Sequence, residues 1–303
     1  MFQKLLCPLD GSHLAEAALP AAAYLCDRLG SQVVLVHVIE RGAPGAVHGD
    51  HHLTRPDEAE AYLAAVAARA FPPGAEALHH VHEGATADVA QSIVEHAVEL
   101  QRDLVVMCTH GRGGLKDLLF GSIAQKVVAR GQTPVLLVFP DTEAASAPFV
   151  CRRILVPLDG SHDHERGLPT ATQLAARLGA ELHLVMVVPT LGTLAGEEAL
   201  TGQLLPSATR AVLELTSESA AAYLGGHVAR LAAEGLAVTA SVERGATAAA
   251  IAAIAERAGA DLIVLASHGR VGVDAVVAGS VAPRVSRRRV APVLLMPIPE
   301  GPP

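Results

Sequence analysis

Tryptophan is absent from this 303-residue chain, and aromatic residues make up only 3% of it. Half of the residues are nevertheless hydrophobic, so the core has to be filled mainly by Ala, Val and Leu. Small aliphatic side chains of this kind suit helices packed closely on a buried sheet. The length allows one large domain or two of ordinary size.

Long apolar runs and an excess of basic residues are also missing. No stretch approaches the roughly 18 apolar residues of a membrane span, and the N-terminus MFQKLLCPLDGS has too few apolar residues for a signal peptide. The formal net charge is −8, which disfavours a nucleic-acid backbone as a partner. We therefore expect a cytoplasmic protein that binds neither nucleic acid nor a membrane.

Cysteine is scarce, and no CxxC pair occurs. The four cysteines are Cys7, Cys26, Cys108 and Cys151. Each lies in or beside an apolar segment, which predicts buried free thiols in a reducing compartment. A redox-sensitive role for Cys108 is the alternative, but no adjacent base or paired Cys supports it.

An internal repeat covers nearly the whole chain. KLLCPLDGSHLAEAALP at 4–20 returns as RILVPLDGSHDHERGLP at 153–169, and TPVLLVFP at 133–140 returns as APVLLMPIP at 291–299. A period of about 150 residues is too long for a solenoid unit and fits two copies of one domain. We predict domain 1 at 1–140, a linker at 141–151 and domain 2 at 152–303.

Short apolar strands alternate with helices in each copy. In the first copy, strands are predicted at 5–9, 32–39, 78–82, 103–107 and 135–139, and helices at 12–29, 57–70, 86–101 and 122–130. In the second copy, strands are predicted near 154–158, 181–188, 236–242, 261–266 and 292–297. This pattern is typical of a parallel sheet covered on both faces. The expected fold is α/β, with two tandem doubly wound, Rossmann-like domains, each a five-stranded parallel sheet with helices on both faces.

Two loops recur best between the copies, and both follow strands that flank the expected switch point of the sheet, where such folds bind ligands. One is PLDGS after strand 1. The other is CTHGRGGLKDLLFGS at 108–122, after strand 4, which returns as ASHGRVGVDAVVAGS at 266–280. A Gly-Ser pair before a helix leaves N–H groups that bind anions. The alternative is that the glycines only shape turns and the hydroxyl and aspartate side chains only cap helices.

At these residues the chain resembles the universal stress protein family in its tandem form, and the resemblance covers both halves almost end to end. Nucleotide-binding members carry G-x-x-G, nine residues, then G-(S/T). Both halves keep the spacing of the later positions, at Gly111, Gly121 and Ser122 and at Gly269, Gly279 and Ser280. The first glycine is replaced by Cys108 and by Ala266, and each adds a Cβ where the backbone approaches the ribose and phosphates.

The resemblance implies that ATP, accompanied by Mg²⁺, binds at the switch point of one or both domains of an adenine-nucleotide alpha hydrolase-like fold. The adenosine end would lie at Asp10 and Asp159, with adenine against the strand-2 backbone near Val38 and Val187. The phosphates would lie on the glycine loops, near Gly114 and within reach of Arg112 and Arg270. His110 and His268 either line the pocket or cap strand 4. Lys116 favours the first site on charge.

The resemblance further implies a stress-response accessory protein with slow or no hydrolysis, since no motif fixes a catalytic base. At most it would be a weak ATPase. The alternative is a stress-protein interaction module that binds no nucleotide and acts through protein partners. An enzyme of adenylate chemistry is disfavoured, because no HIGH-type or SGGxDS-type motif stands beside strand 1. Family domains pair through the last strand, so the two copies are expected to pair within the chain, and a homodimer of whole chains is also open.

Histidines cluster in three places: at His48, His51 and His52, at His79, His80 and His82, and at His162 and His164. Imidazole suits zinc, but these spacings match no closed zinc motif, so we interpret the clusters as solvated polar segments. The segments 41–56 and 189–206 follow strand 2 on the ligand side. They are expected to act as lids or to pack against the sister domain.

Overall fold

The computed structural model describes residues 1–47, 49–109, 122–140, 148–267 and 281–298, apart from the side chains of Glu83 and Ala85. Contacts divide the chain into two compact units. Unit 1 comprises Met1–Val150, Ser267–Pro283 and Pro292–Pro303, and unit 2 comprises Cys151–Ala266 and Arg284–Ala291.

The first repeat builds a parallel sheet with helical crossovers. Its strands are β1 (Lys4–Pro8), β2 (Gln32–Glu40), the short β3 (Ala46–Val47) and β4 (Asp50–His51), β5 (Ala77–Thr86), β6 (Leu104–Cys108) and β7 (Val135–Val138). Its helices are α1 (Leu19–Leu29), α2 (Pro56–Ala70), α3 (Val89–Glu99) and α4 (Ser122–Arg130). The strands pair in the order β7-β6-β1-β2-β5, all parallel, while β3 and β4 form a separate antiparallel hairpin.

The central position of β1 follows from its neighbours. Leu6 pairs with Val34 of β2 on one side and with Val105 of β6 on the other. The seven inner residues of β2 are all buried, as expected for a strand covered on both faces.

Unit 2 contains four parallel strands from the second repeat. They are β8 (Arg153–Leu158), β9 (Glu181–Val188), β10 (Val238–Arg244) and β11 (Leu262–Ser267), paired in the order β10-β9-β8-β11. The helices of the second repeat are α5 (Gly167–Leu178), α6 (Gly196–Leu204), α7 (Pro206–Ala233), α8 (Thr247–Ala258) and α9 (Val281–Ser286). The repeat therefore keeps the strand order of the first copy around its own strand 1.

The last strand, β12 (Val293–Pro297), belongs to unit 1 by its contacts. It pairs antiparallel with β7, with Val293 opposite Leu137 and Leu295 opposite Val135. All four side chains are buried. Contacts thus divide the chain at a different place from the sequence repeat.

The expected α/β fold of mostly parallel strands with intervening helices is confirmed. Two helices begin at least three residues later than predicted. The helix expected from residue 12 starts as a 3-10 turn at Ala15–Ala18 and becomes α-helical at Leu19. The helix expected from residue 86 starts at Val89, because Asp88 caps it by accepting a hydrogen bond from the Gln91 N–H at 3.2 Å.

Within the described ranges, no helix is both long and apolar enough to cross a membrane.

Candidate functional site

A cavity of about 110 Å³ lies in unit 1 at the carboxyl ends of β1, β2 and β6. The chain connections lie on opposite sides of β1 here. On one side β1 connects through α1 to its neighbour β2, and on the other side its neighbour β6 is reached from the edge strand β5 through α3. This is the switch point at which doubly wound sheets bind ligands. The cavity is lined by three of the residues predicted to contact a nucleotide, Asp10, Val38 and Cys108.

Asp10 is oriented by the turn that follows β1. Its Oδ1 accepts hydrogen bonds from the Ser12 N–H at 2.9 Å and from the Ser12 hydroxyl at 2.6 Å. Ser12 is itself fully buried, so the turn cannot readily reorient. The hydrogen-bonded turn places the Asp10 carboxylate at the cavity wall, and its contact with a nucleotide remains a prediction.

Residues 41–47 and 49–55, which we call the strap, contribute Val47 and His52 to the same cavity. His13 ties the strap to the β1 loop, because its backbone N–H donates to Asp50 Oδ2 at 2.9 Å and its Nδ1 lies 3.0 Å from Asp50 Oδ1. The lid function expected for this segment remains a prediction, but its packing against the cavity is observed.

His37 of β2 makes a second contact between the β1 loop and the strap. Its imidazole is buried, with Nδ1 2.8 Å from the Leu9 carbonyl and Nε2 3.0 Å from the Leu53 carbonyl. A carbonyl only accepts, so a ring nitrogen that carries a hydrogen donates it to the carbonyl it faces. His37 thus spans the end of β1 and the strap.

His52 corrects one interpretation of the histidine clusters. Only 5% of its surface is exposed, so it is not part of a solvated polar loop, because the strap folds down onto the cavity. Among the described residues, its Nδ1 has no hydrogen-bond partner, and neither has the buried Thr109 Oγ1 directly after β6. Unpaired buried polar atoms are costly, and His52 lines the cavity.

Cys108 ends β6, where its Sγ lies 3.0 Å from the Thr109 carbonyl and its side chain is half-buried. The other three cysteines are buried, as predicted, and free. Burial raises the pKa of Cys26 to about 11 and that of Cys151 to about 12, and it raises the pKa of Cys7 as well. These three thiols are therefore protonated and unreactive at neutral pH.

Most residues of the predicted glycine loops lie outside the described residues: His110, Gly111, Arg112, Gly114 and Gly121 in the first copy, and His268, Gly269, Arg270, Gly279 and Ser280 in the second. Ser122 is the first residue of α4 and is exposed. Its place at a helix start agrees with both the anion-site and the capping interpretation.

The second copy arranges the equivalent aspartate differently. Asp159 Oδ1 accepts from the Ser161 N–H at 2.9 Å, while His164 Nδ1 lies 2.7 Å from Asp159 Oδ2. Burial raises the pKa of Asp159, but the hydrogen bonds from Ser161 and the contact with His164 outweigh it, and the net pKa is lowered. In the repeat alignment, His164 occupies the position of Ala15, which lines the cavity of unit 1.

The remaining predicted residues of unit 2 lie at the expected strand ends. Val187 is half-buried near the end of β9, and Ala266 is buried near the end of β11. Among the described residues, no group of three or more His, Cys, Asp or Glu side chains is placed to hold a metal ion.

A tyrosine–glutamate pair near the site recurs in both units and was not predicted. The Tyr62 hydroxyl donates to Glu16 Oε1 at 3.0 Å, and the Tyr223 hydroxyl donates to Glu165 Oε1 at 2.6 Å. Glu16 also pairs with Arg69 at 2.6 Å. The repeated Glu of the PLDGSH segment was visible in the sequence, but its partner stands on a helix that differs in length between the copies.

Comparison with known proteins gives a consistent assignment. The model of the universal stress protein family matches residues 1–138 and 151–297. A universal stress protein of Methanocaldococcus jannaschii is 29% identical over 144 residues, which are 46% of this chain and 82% of that protein. One of Thermus aquaticus is 33% identical over 141 residues, which are 46% of this chain and 99% of that protein.

A solved structure shows the same fold. A universal stress protein from Archaeoglobus fulgidus aligns at a TM-score of 0.69 and 22% identity, covering 98% of this chain and 97% of that one. A universal stress protein in complex with cAMP aligns at a TM-score of 0.34 and 22% identity, covering 50% of this chain and 99% of that one. The bound cAMP is a property of that protein.

Proposed function

The chain belongs to the universal stress protein family, with two family domains in tandem, and we propose that it binds ATP with Mg²⁺ in the cavity of unit 1. One observation carries the proposal: Asp10, Val38 and Cys108, predicted from three separate stretches, line one cavity at the switch point. The protein would act as a nucleotide-responsive accessory protein of the stress response, with slow or no hydrolysis.

The cavity is small for a nucleotide. Pockets for drug-sized ligands measure about 300–1,000 Å³, whereas this cavity measures about 110 Å³. The strap is held by a few polar ties, from His13 to Asp50 and from His37 to Leu53. We propose that adenosine enters as these ties open, and that the strap then closes on it.

An unpaired polar atom in the cavity favours a polar ligand. The buried His52 lines the cavity, and its Nδ1 has no partner among the described residues, whereas an adenine or ribose group offers both donors and acceptors. Magnesium would be held through the phosphates rather than by a protein cage.

Unit 2 is proposed to bind more weakly or not at all. His164 bonds to the carboxylate of Asp159 and stands where unit 1 has the small Ala15. A ligand would have to displace that imidazole and break a charge-assisted bond, which costs more than filling an open cavity.

Calorimetric titration of the nucleotide-stripped full chain with Mg-ATP tests the proposal. We expect one site per chain. Asp10→Ala should weaken it about tenfold or more, while the matched Asp159→Ala should leave it unchanged. His164→Ala should add a second, weaker site, and Ala15→His should abolish the first. Absence of heat and of thermal stabilisation at millimolar ATP would overturn the proposal.

The predicted phosphate loop has its own test. Gly121→Val should abolish binding, because a β-branched side chain would block the close approach of phosphate to the backbone. Gly279→Val is the matched change in the second copy and should have no effect if only unit 1 binds. Nucleotide binding that survives both changes would exclude the glycine loops as phosphate sites.

A second candidate function, protein–protein interaction, is favoured by an apolar surface on unit 2. Five large hydrophobic side chains on α6, on the residue between α6 and α7, and on the first half of α7 are more than half exposed: Leu200, Leu204, Leu205, Val212 and Leu215. Glu197, Glu198, Glu214 and Glu218 lie on the same two helices, so a basic amphipathic helix is the partner that would fit. Leu204→Glu with Leu215→Glu should abolish such binding without changing nucleotide affinity.

A further inference from the structure

A histidine cluster at the edge of unit 1 lies apart from the nucleotide cavity. His80 and His82 share one face of the edge strand β5, because alternate residues of a strand point the same way. That face carries α3, whose His96 contacts both rings, with ring centroids 5.0 Å from each. His79 bonds instead to Glu60 of α2 at 2.9 Å.

The geometry of His96 determines which of its nitrogens has a lone pair. Its Nδ1 lies 2.7 Å from the Ser92 carbonyl, and since a carbonyl only accepts, Nδ1 carries the hydrogen. In the neutral ring, Nε2 therefore carries the lone pair. A hydrogen bond of the second ring nitrogen to a backbone carbonyl is the arrangement that orients metal-binding histidines. Only 5% of the surface of His96 is exposed, so packing fixes the direction in which its Nε2 points.

His80 presents its own Nε2 at 3.1 Å from Nε2 of His96. Two metal–nitrogen bonds of about 2.05 Å that meet at the tetrahedral angle place their nitrogens about 3.3 Å apart. The observed separation corresponds to an angle of about 98° at the metal, between the octahedral and tetrahedral values. We propose that His80 and His96 bind a divalent cation of the zinc, nickel and copper class, with water completing the coordination.

The protonation state of His80 agrees with this assignment. Burial lowers its pKa, and the neighbouring His96 and His82 lower it further, against the opposing charges of Glu60 and Glu99. A lowered pKa favours the neutral ring, whose unprotonated nitrogen offers a lone pair. Acidification should release the metal, because a proton competes for the same nitrogen.

The site has two protein ligands rather than three. Nε2 of His82 lies against Gly84, 3.2 Å from the position that a Cβ there would take. In the part of the chain that the structure describes, no group of three or more His, Cys, Asp or Glu side chains is placed to hold a metal ion, so His82 is not counted as a ligand. Because the metal would have only two protein ligands and His80 is exposed, the bound ion should exchange readily, unlike the ion of a closed structural zinc site.

Zinc titration of the EDTA-treated full chain against a chromogenic chelator at neutral pH tests the proposal. We expect one Zn²⁺ site that His80→Gln weakens by roughly tenfold or more, since losing a ligand should cost at least as much as losing an outer-shell partner. His79→Gln, on the opposite face of the same strand, is the matched control and should bind as the parent does.

Nitrogen NMR of the imidazoles supplies an independent readout. Zinc should shift the Nε2 resonances of His80 and His96 together, leave Nδ1 of His96 protonated, and leave the ring of His79 unchanged. Unchanged zinc affinity in His80→Gln, or zinc-induced shifts confined to other histidines, would overturn the proposal. In that case the 3.1 Å contact is an imidazole–imidazole hydrogen bond only.

Discussion

Tyr62 donates a hydrogen bond to Glu16 from a helix 46 residues further along the chain. The pair joins α2, which follows the strap, to the 3-10 turn that follows the Asp10 loop. Tyr223 and Glu165 make the same connection in unit 2. In both units, the segment after strand 2 is therefore anchored beside the strand-1 aspartate by a phenol and a carboxylate.

Removing the phenol should destabilise each unit by a similar amount. Tyr62→Phe and Tyr223→Phe should each lower the free energy of unfolding by somewhat more than about 1 kcal/mol. The usual net contribution of one hydrogen bond is about 1 kcal/mol, and a charged acceptor increases it. Urea titration followed by circular dichroism measures the change. Tyr24→Phe is the control, since the ring of Tyr24 meets Phe149 edge-on and that contact needs no hydroxyl. Equal effects of all three changes would contradict the prediction.

The same pair predicts an alkaline limit to stability. Burial raises the pKa of Tyr62 above its ordinary value of about 10, and the charge of Glu16 raises it further. A raised pKa in the folded state means that the associated stability is present below the unfolded value and lost as pH rises towards the folded one. The free energy of unfolding should therefore fall as the pH rises above about 10. The fall should be less steep in Tyr62→Phe than in the parent chain.

A side chain at position 11 would collide with the strap. Gly11 has a φ of +89°, and a Cβ there would lie 2.8 Å from Cγ of Leu53. Gly49 has a similar φ of +92°, with nothing within 4 Å. Gly49→Ala should therefore cost only the backbone term, about 1–2 kcal/mol. Gly11→Ala should cost roughly 1–3 kcal/mol more and lift the strap, which faster hydrogen exchange within residues 49–55 would reveal. Equal costs would show that Leu53 moves away freely.

Thiol labelling should separate Cys108 from the other cysteines. Cys7, Cys26 and Cys151 are buried, and burial raises the pKa of each, so they should react with an aromatic disulfide only as fast as the protein unfolds. Cys108 is half-buried at the cavity and should react first. Cys108→Ser should remove the fast phase. Mg-ATP should slow it in the parent chain if the proposed site is correct, and an unchanged rate at saturating nucleotide would count against that site.

The Asp159–His164 contact should be visible in a pH titration. The lowered pKa of Asp159 means that the contact stabilises the folded state above the unfolded value of about 3.9 and that this contribution is lost as pH falls below it. Carbon NMR of the Asp159 carboxyl should report a higher pKa in His164→Ala. His162→Ala, beside it in sequence and without a contact to that carboxylate among the described residues, should leave the value unchanged.

Much of the scaffold was predictable, because the spacing of apolar residues and the internal repeat of the sequence indicate its strands and helices. The strand β9 was predicted at its observed bounds, and β8 within one residue, because buried parallel strands are short continuous apolar runs. The positions of Asp10 and Cys108 at one edge follow from parallel strand order alone.

The strap was not predictable in the same way. Its sequence is rich in Gly, Pro and His, and nothing in it distinguishes the buried His52 from the exposed His51. That difference arises from long-range contacts, from His37 to Leu53 and from His13 to Asp50. Likewise, the contact of His80 with His96 joins residues 16 apart through the packing of α3 on β5. Side-chain partners across elements depend on tertiary packing, which local patterns do not encode.

The antiparallel pairing of β12 with β7 has a consequence for biosynthesis. β7 is complete about 150 residues before β12 leaves the ribosome, which at 5–20 residues per second is roughly 8 to 30 seconds. During that interval the nascent first unit presents Val135–Val138 as an unprotected strand edge, a surface prone to pair with other chains. Chaperone demand during translation should therefore concentrate on the interval before the final strand is made.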